Sequence, residues 1–220
     1  MKKVAVVLSG CGVYDGAEIH EAVLTLLYLD QAGAQVQCFA PDKPQMHVIN
    51  HLKGEVSEGE TRNMLIESAR IARGSIKPLT ELDVDQFDAV VFPGGFGVAK
   101  NFCTFAVDGP NCRIDDDVQR VIRDAVTKGK VIGTICISPA CTARALQGEI
   151  DGARLTIGTD KGTMDALKTM KAEPVSAEVT DIVVDEKLKI VSTPAYMLGP
   201  NIANVAKGIE KLVKQVIQMA

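Results

Sequence analysis

The chain has 220 residues, of which 24 are basic and 28 acidic, so its formal net charge is −4. Apolar residues make up 46% of the sequence and aromatic residues only 4%, which is enough to bury a large core of aliphatic side chains. There is no basic excess to neutralise phosphates, and no run approaches the about 18 apolar residues of a membrane span. We therefore expect neither nucleic acid nor a membrane as a partner.

Continuous apolar strands alternate with amphipathic helices along the chain. The strands are predicted at Val4–Leu8, Val36–Ala40, Ala89–Phe92 and Val131–Ile135, followed by a hairpin of Ile182–Val184 and Lys189–Ser192. The helices are predicted from about Glu18 to Ala32, from Thr61 to Arg73, from Asp115, over Ser138–Leu146 and from near Pro200. This order predicts a mostly parallel sheet with helices on both faces, as a single domain over residues 1–220.

Two segments do not fit this alternation. Residues 43–85 are long for one connection, and they contain the predicted helix, capped by Thr61, and a small hairpin around Lys53-Gly54-Glu55. Residues 96–113 form a second irregular insertion near the carboxyl ends of the strands, a position that suits a lid.

Three turns follow predicted strands, at Gly10–Gly16, Pro93–Gly97 and Cys136. Ligands of doubly wound sheets bind beyond the carboxyl ends of the strands, so these turns are expected to meet in one crevice. The Gly10-Cys11-Gly12 turn is one residue off the dinucleotide-binding fingerprint, and Asp42 comes later than the ribose-binding acid of that motif. We therefore predict no cofactor.

Cys136 is the strongest candidate for chemistry. It stands where Val131–Ile135 ends and Ser138–Leu146 begins, a strand-to-helix turn that projects a side chain from the edge of the sheet. The positive end of the following helix favours the thiolate, which is the nucleophilic form of cysteine. The alternative is a cysteine buried in the core, a common place for this residue type.

Carboxyl and backbone groups around the crevice supply the partners that a nucleophilic thiol needs. Glu18 and Glu21 lie in the first turn of the first helix, and a carboxyl group held in a partly dry site can exchange protons near neutral pH. Such glutamates are also ordinary partners of the helix dipole. The backbone N–H groups of Gly94, Gly95 and Ile137 are candidates to stabilise an oxyanion, and the alternative for the glycines is a simple turn.

Three further residues are predicted at or near the crevice. Cys11 faces the same crevice, either as a redox partner of Cys136 or as a spectator. His20 adjoins Glu21 on the first helix and can reach the site. Lys100 follows the second glycine-rich turn, where it either binds an anionic group or faces water.

The remaining cysteines and histidines give little support for a metal site. The six cysteines are scattered without a CxxC pair, which indicates reduced thiols rather than a zinc site. His47 and His51 have the spacing of one helical turn, but a solvated surface pair is the simpler interpretation. We therefore predict no metal.

The start of the chain resembles an export signal. Met1-Lys2-Lys3 precedes the apolar stretch Val4–Leu8, which is shorter than the about 7–15 apolar residues that such signals use. We interpret this stretch as the first strand. Together with reduced cysteines, it leads us to expect a cytoplasmic protein.

Several motifs together resemble the PfpI/ThiJ-like superfamily, which shares its fold with class I glutamine amidotransferases. Within it, they resemble the ElbB branch of sigma cross-reacting or isoprenoid-biosynthesis-associated proteins. The matching stretches run almost end to end, at Leu8–Gly16, Glu18–Val23, Cys38–Asp42, Pro93–Gly97, Ala99–Asn101, Leu155–Asp160 and Thr193–Met197. By motif, Glu21 matches the helix-borne glutamate of the superfamily and Cys136 matches its elbow cysteine.

The resemblance implies a flavodoxin-like three-layer sandwich that is often dimeric, and so a homodimer. It also implies a glutathione-independent glyoxalase that converts glyoxal, and by extension methylglyoxal, to the hydroxy acid through a Cys136 hemithioacetal. A deglycase that acts on aldehyde-modified amines or thiols is the other interpretation of this chemistry. The implied substrate is a small-molecule aldehyde.

The sequence departs from the wider superfamily at two places. Many relatives carry a histidine directly after the elbow cysteine, where this chain has Ile137, and the amidotransferases carry His-x-Glu where this chain reads Ser192–Tyr196. Because the triad histidine is missing, an amidotransferase-like subunit is only a third choice. The second choice is a non-catalytic module of the same fold, a binding protein or a redox sensor whose cysteine oxidises without turnover.

Overall fold

A computed structural model describes the whole chain, residues 1–220. The strands are β1 Lys3–Val7, β2 Gln35–Ala40, β3 Ile49–Asn50, β4 Glu55–Val56, β5 Ile76–Pro78, β6 Ala89–Phe92, β7 Val131–Ile135, β8 Arg154–Leu155, β9 Glu173–Pro174, β10 Val183–Asp185 and β11 Ile190–Thr193. The helices are α1 Ile19–Gln31, α2 Met64–Ile71, α3 Phe105–Asp108, α4 Asp116–Thr127, α5 Ser138–Leu146, α6 Lys161–Thr169 and α7 Ile202–Met219. Shorter helical turns lie at Leu79–Glu81, Val84–Gln86, Val98–Phe102, Gly109–Asn111 and Ala195–Met197.

Seven strands form one central sheet in the order β10-β11-β7-β6-β1-β2-β5. β10 is antiparallel to β11, and all other neighbours in the sheet are parallel. The chain runs outward from β1 through β2 to β5 and then returns to β6 on the other side of β1. The protein is therefore the flavodoxin-like α/β sandwich that the sequence predicts, and the reversal between β1 and β6 creates the crevice where such sheets bind ligands.

Alternate side chains of the parallel strands fill two separate cores, because helices cover both faces of the sheet. On β1, Val4 and Val6 pack on the face that carries α1 and α7, whereas Ala5 and Val7 pack with α4 and α5. All four side chains are fully buried. This two-sided burial explains why the strands appear in the sequence as continuous apolar runs. None of the helices combines the length and the apolar character needed to cross a membrane.

Among the predicted helices, the one from Thr61 to Arg73 differs most from its observed bounds. In the structure this helix is α2, which spans only Met64–Ile71. Asn63 is its amino-terminal cap, because the Asn63 side chain accepts a hydrogen bond from the Ile66 N–H at 3.1 Å. Thr61 lies outside the helix and is exposed. The prediction of a Thr61 cap is therefore wrong.

Replacing Asn63 by alanine is expected to lower the free energy of unfolding by about 1 kcal/mol, because the Ile66 N–H loses its partner. The hydrogen bond from Asn63 Nδ2 to Asp42 at 2.7 Å is lost as well. Thr61→Ala is the matched control and is expected to change stability by less than about 0.5 kcal/mol. Urea unfolding measures both variants, and equal losses would contradict the assignment of the cap.

Both predicted hairpins are confirmed, as β3–β4 and β10–β11. Three other features have no counterpart among the predictions. β5 extends the sheet beside β2, and its Pro78 is tolerated there because an edge strand does not need every backbone donor. α6 and the small parallel pair β8–β9 follow α5 and cover one end of the sandwich core.

The segment 96–113, predicted as an irregular insertion with a position suited to a lid, consists of short helical turns. An antiparallel bridge between Cys103 and Ile114 closes the segment at its far end. Phe102 is fully buried and anchors it to the core. The segment is therefore a packed wall beside the carboxyl ends of the central strands.

Candidate active site

Cys136 lies in the turn between β7 and α5, at the carboxyl edge of the sheet. Its backbone has a φ of +61°, a left-handed conformation that is strained for a residue with a side chain. The Cys136 N–H donates to the Thr193 carbonyl at 3.0 Å, and the residue is 8% exposed. The N–H groups of Gly95 and Ile137 hydrogen bond to its sulfur. This is the geometry of a nucleophile elbow.

Glu21 approaches Cys136 from α1 and is fully buried. Its Oε2 accepts a hydrogen bond from the Gly94 N–H at 2.9 Å, and its Oε1 accepts one from the Tyr196 N–H at 3.2 Å. The carboxyl group lies beside Cys136, since a Cβ added to Gly94 would come within 2.7 Å of Glu21 Oε2 and 2.5 Å of Cys136 Cβ. Burial, together with the charge of Glu18, raises the pKa of Glu21 to about 8. A carboxyl group of this kind holds a proton at neutral pH and can release it.

The Cys136 sulfur is not the thiolate that its place at the start of α5 predicts. Burial raises the pKa of Cys136 well above its usual value, and the Glu21 carboxylate raises it further. The Gly95 and Ile137 amides act in the opposite direction. The helix end alone is therefore insufficient, and that expectation is wrong. Instead, the two groups affect each other's ionisation: the Glu21 carboxylate raises the pKa of the Cys136 thiol, and the thiol in turn lowers the pKa of Glu21.

Gly94 and Gly95, predicted together as oxyanion donors, have different roles. The Gly94 N–H is engaged by Glu21, so it holds the carboxyl group in place rather than a substrate oxygen. Gly95 has a φ of +101°, and its N–H points to the sulfur together with that of Ile137. Two of the three predicted donors, the N–H groups of Gly95 and Ile137, therefore face the Cys136 sulfur, whereas that of Gly94 does not.

A cavity of about 510 Å³ opens beside Cys136. Twelve residues line it and nine of them are hydrophobic, Phe96 and Phe105 among them. Glu18 also lines the cavity, and it caps α1 by accepting the Glu21 N–H at 2.7 Å. Burial raises the pKa of Glu18. The cavity thus combines a reactive end, with a thiol and a titratable carboxyl group, and largely apolar walls.

Tyr196 lines the same cavity, and in the sequence it is marked only as part of a family motif. The short turn after β11 places it, with Ala195 at a φ of +43°. The Tyr196 hydroxyl lies 2.8 Å from Nδ1 of His20, which is exposed. The predicted His20 therefore reaches the site through Tyr196, and it is not itself among the residues that line the cavity.

Two of the predicted residues are not brought to the cavity. Cys11 lies near the charged groups of Glu67 and Arg70 on α2, and burial raises its pKa. Lys100 donates to the Tyr14 carbonyl at 2.9 Å, so its ammonium group supports the first glycine-rich turn. Cys11 is therefore a spectator, the second of the two roles predicted for it, since it lies toward α2. Lys100 supports a turn of the backbone, rather than binding an anionic group or only facing water as predicted.

His51 also belongs to that first glycine-rich turn rather than to the cavity. Its Nε2 accepts from the Tyr14 N–H at 3.1 Å, and its Nδ1 lies 3.0 Å from the Ile49 carbonyl oxygen. These partners indicate a neutral ring with its proton on Nδ1. No group of three or more His, Cys, Asp or Glu side chains has an arrangement that could hold a metal ion.

Comparison with known proteins identifies relatives of the chain. The DJ-1/PfpI family model matches residues 2–197. A human protein named glutamine amidotransferase-like class 1 domain-containing protein 3, mitochondrial, is 47% identical over 99% of this chain and 83% of its own length. A crystal structure of an isoprenoid biosynthesis protein with amidotransferase-like domain, from Ehrlichia chaffeensis, has a TM-score of 0.93 and 38% identity over 100% of this chain and 99% of that chain. Glyoxalase III of Candida albicans shares the fold, with a TM-score of 0.64 and 16% identity over 99% and 97% of the two chains.

The relatives correct the predicted localisation, and they show to which family the chain belongs. Proteins from Homo sapiens, Rattus norvegicus and Danio rerio are named as mitochondrial, so the expectation of a cytoplasmic protein is wrong and the relatives point to mitochondria. The family model covers most of the chain, and the human relative is similar across nearly all of it. The chain therefore belongs to the DJ-1/PfpI family.

Proposed function

We propose that the protein is a glutathione-independent glyoxalase that converts a 2-oxoaldehyde, such as glyoxal or methylglyoxal, to the 2-hydroxy acid. The observation that carries this proposal is that the Cys136 thiol and a fully buried Glu21 carboxyl group, whose pKa is about 8, lie side by side against Gly94. A nucleophile in contact with a proton-exchanging group is what this isomerisation needs. A protein of the same fold is named glyoxalase III, in keeping with this proposal.

In the first step, the Cys136 sulfur attacks the aldehyde carbon and forms a C–S bond. Once Glu21 has released its own proton to solvent, its carboxylate takes the thiol proton and delivers it to the aldehyde oxygen. The carbonyl group thus becomes the hydroxyl group of a neutral hemithioacetal, and Glu21 is again a carboxylate for the next step. Negative charge develops on that oxygen as the bond forms. The N–H groups of Gly95 and Ile137, which already point at the sulfur, stabilise this charge.

In the second step, a hydrogen moves between the two carbons of the bound substrate. The Glu21 carboxylate removes the proton from the hemithioacetal carbon to give an enediol, and it returns the proton to the neighbouring carbon. The first carbon is thereby oxidised to a thioester, and the second is reduced to an alcohol. Water then cleaves the thioester and releases the hydroxy acid and the thiol. No external oxidant or cofactor is consumed, because the two redox changes cancel.

In the proposal, Glu18 and the Tyr196–His20 pair exchange the proton of Glu21 with bulk water. Glu21 is fully buried, so it has no direct contact with bulk water. Glu18 lies on the cavity surface and its carboxylate accepts the Glu21 N–H, while the Tyr196 N–H donates to the Glu21 carboxylate. Titratable groups of the cavity and its rim are thus placed beside the buried acid to exchange its proton with water.

The two other functions considered have less support. A redox sensor needs an accessible cysteine of low pKa, whereas Cys136 is 8% exposed and burial raises its pKa. A glutaminase needs a histidine in the segment after β11, and the residue that contacts Glu21 from this segment is Tyr196. Neither the redox sensor nor the glutaminase therefore fits the site as well as a Cys136 nucleophile that works with the buried acid Glu21.

Three finer assignments belong to the same proposal. We infer an ElbB-type protein from the motifs quoted above, and the Ehrlichia relative named as an isoprenoid biosynthesis protein supports it. We propose a single domain over residues 1–220 and a homodimer as the assembly, as the resemblance implies.

Glycolate formed from glyoxal is the direct test, with wild type and Cys136→Ala measured side by side. The buffer contains no amines or thiols, so that simple addition of aldehyde to nucleophiles does not count as turnover. Cys136→Ala is expected to lose at least about a thousandfold in kcat, because removal of a covalent nucleophile leaves only binding and oxyanion stabilisation.

Cys141→Ala is the matched control for this test, since Cys141 is a second buried thiol on α5 and does not line the cavity. It is expected to keep the rate of the wild type. Equal glycolate formation by Cys136→Ala and wild type would refute the proposed function.

A further inference from the structure

The cavity beside Cys136 is large for glyoxal. Its volume of about 510 Å³ falls in the range of about 300–1,000 Å³ found for pockets that enclose drug-sized ligands. Glyoxal consists of two joined carbonyl groups and brings no apolar surface to these walls. A substrate so small would leave the apolar side chains in contact with water, and it would forgo the binding free energy that their burial supplies.

Apart from Thr163 on α6, the polar groups of the cavity are gathered around the thiol–carboxyl pair. The Gly95 N–H points at the Cys136 sulfur, Glu18 accepts the Glu21 N–H, and Tyr196 donates its own N–H to Glu21. Except for Thr163, the other lining side chains are hydrophobic, and they include Val13, Phe96, Ala99, Phe105, Ala106 and Met197. The cavity therefore offers one polar end for a reactive group and apolar walls for whatever is attached to it.

Two aromatic side chains are left partly open to solvent at these walls. Phe96 is 48% exposed although it is large and apolar, and no side chain of α3, which carries Phe105, is fully buried. Exposed apolar side chains that gather around a concave surface are typical of a ligand-binding site. Phe96 directly follows the oxyanion donor Gly95, so a substituent on the carbon next to the aldehyde lies within reach of its ring.

We infer that the substrate is a 2-oxoaldehyde whose second substituent is an apolar alkyl or aryl group, rather than glyoxal itself. The aldehyde carbon bonds to the Cys136 sulfur, and the substituent packs against Phe96 and Phe105. The reacting aldehyde of this inference rests on the proposed function. The apolar substituent rests on the side chains that line the cavity. Glyoxal and methylglyoxal are then poor representatives of the true substrate class.

A series of 2-oxoaldehydes tests this inference with the wild-type protein. Glyoxal, methylglyoxal, longer straight-chain alkylglyoxals and phenylglyoxal share one reactive group and differ in the substituent. The kcat/KM for formation of the hydroxy acid is expected to rise at least about fourfold per methylene until the cavity is filled. Rates of addition to a small thiol, measured in parallel, correct for differences in hydration and intrinsic reactivity.

Phe105→Ala identifies the wall that recognises the substituent. The ratio of kcat/KM for phenylglyoxal to that for glyoxal is expected to fall about tenfold or more, because part of the apolar contact is lost. Val107→Ala is the matched control, since Val107 lies on the same short helix, is 66% exposed and does not line the cavity. It is expected to leave this ratio unchanged.

Protection of Cys136 from alkylation by iodoacetamide measures occupancy of the cavity without turnover. Straight-chain methyl ketones are the probes, and protection is expected to strengthen with chain length. Graded protection without hydroxy acid from any aldehyde would mean that the proposed function fails, and with it the 2-oxoaldehyde as substrate, while the preference of the cavity for apolar ligands stands. Glycolate from glyoxal, with kcat/KM and protection both independent of chain length, would overturn this inference and leave the proposed function in place.

Discussion

Replacing Glu21 by glutamine is expected to remove a large part of the dependence of stability on pH between about pH 5 and 8. The Glu21 carboxyl group is fully buried, and burial raises its pKa from 4.5 to about 8. The difference between these values corresponds to about 5 kcal/mol in the free energy of unfolding. Urea denaturation at a series of pH values measures this free energy for the wild type and for Glu21→Gln.

The sign of the effect follows from where the proton is held. In this window the folded state keeps a proton that the unfolded chain has already released, so wild-type stability falls as the pH rises. The contribution is fully present below about pH 4.5 and is lost as the pH passes about 8, where the folded state must bury a carboxylate. Asp83 and Asp160, whose pKa values are lowered, act in the opposite direction but at more acidic pH.

The glutamine variant keeps the shape of the side chain without its proton. Glutamine has one acceptor oxygen where glutamate has two, so it can pair with only one of the Gly94 and Tyr196 N–H groups. We therefore expect Glu21→Gln to lose some stability by the same amount at every pH. Only the slope of the free energy of unfolding against pH reports on the Glu21 proton. Parallel profiles for the two proteins would show that Glu21 is already ionised in the folded state at neutral pH. It would then act there only as a base, and not as the group with a raised pKa that holds and releases a proton on which the proposed function rests.

The strands that carry the site could be predicted because each is buried on both faces. Ala89–Phe92 and Val131–Ile135 were located at both ends from their apolar runs alone. β5 could not be located, since a three-residue edge strand that contains proline carries no usable pattern. α6 was also missed, because Leu167 is its only buried residue and one apolar position does not produce a helical stripe.

In the candidate site too, the residues beside a strong local element could be predicted, and those brought together only by the fold could not. The elbow cysteine and the glutamates of α1 were found because each lies beside a strong local element. The partners of Glu21 could not be found, because Gly94 is 73 residues away in the sequence and Tyr196 is 175 residues away. For the same reason the ionisation of Cys136 was misjudged: the local helix end is visible in the sequence, whereas the burial and the buried acid that oppose it come from the fold.

Gly94→Ala is expected to disturb both the fold and the reactive pair. A Cβ at this position would lie 2.5 Å from Cys136 Cβ, 2.7 Å from Glu21 Oε2 and 2.9 Å from the Ile135 carbonyl oxygen. None of these contacts is tolerated without movement, and two of them involve the proposed catalytic side chains. We expect the free energy of unfolding to fall by about 3 kcal/mol and kcat/KM to fall at least about a hundredfold, because a displacement of about 1 Å is enough for such a loss.

Gly162→Ala is the matched control, because it adds the same methyl group where the nearest atom is Asp160 Oδ1 at 3.6 Å. Alanine in α6 is expected to raise stability by up to about 1 kcal/mol and to leave activity unchanged. Both variants are measured well below their unfolding temperatures, with the folded fraction followed by circular dichroism, so that misplacement is separated from unfolding. If Gly94→Ala matched the control in stability and activity, the thiol and the carboxyl group would not be in the tight contact on which the proposed proton transfer depends.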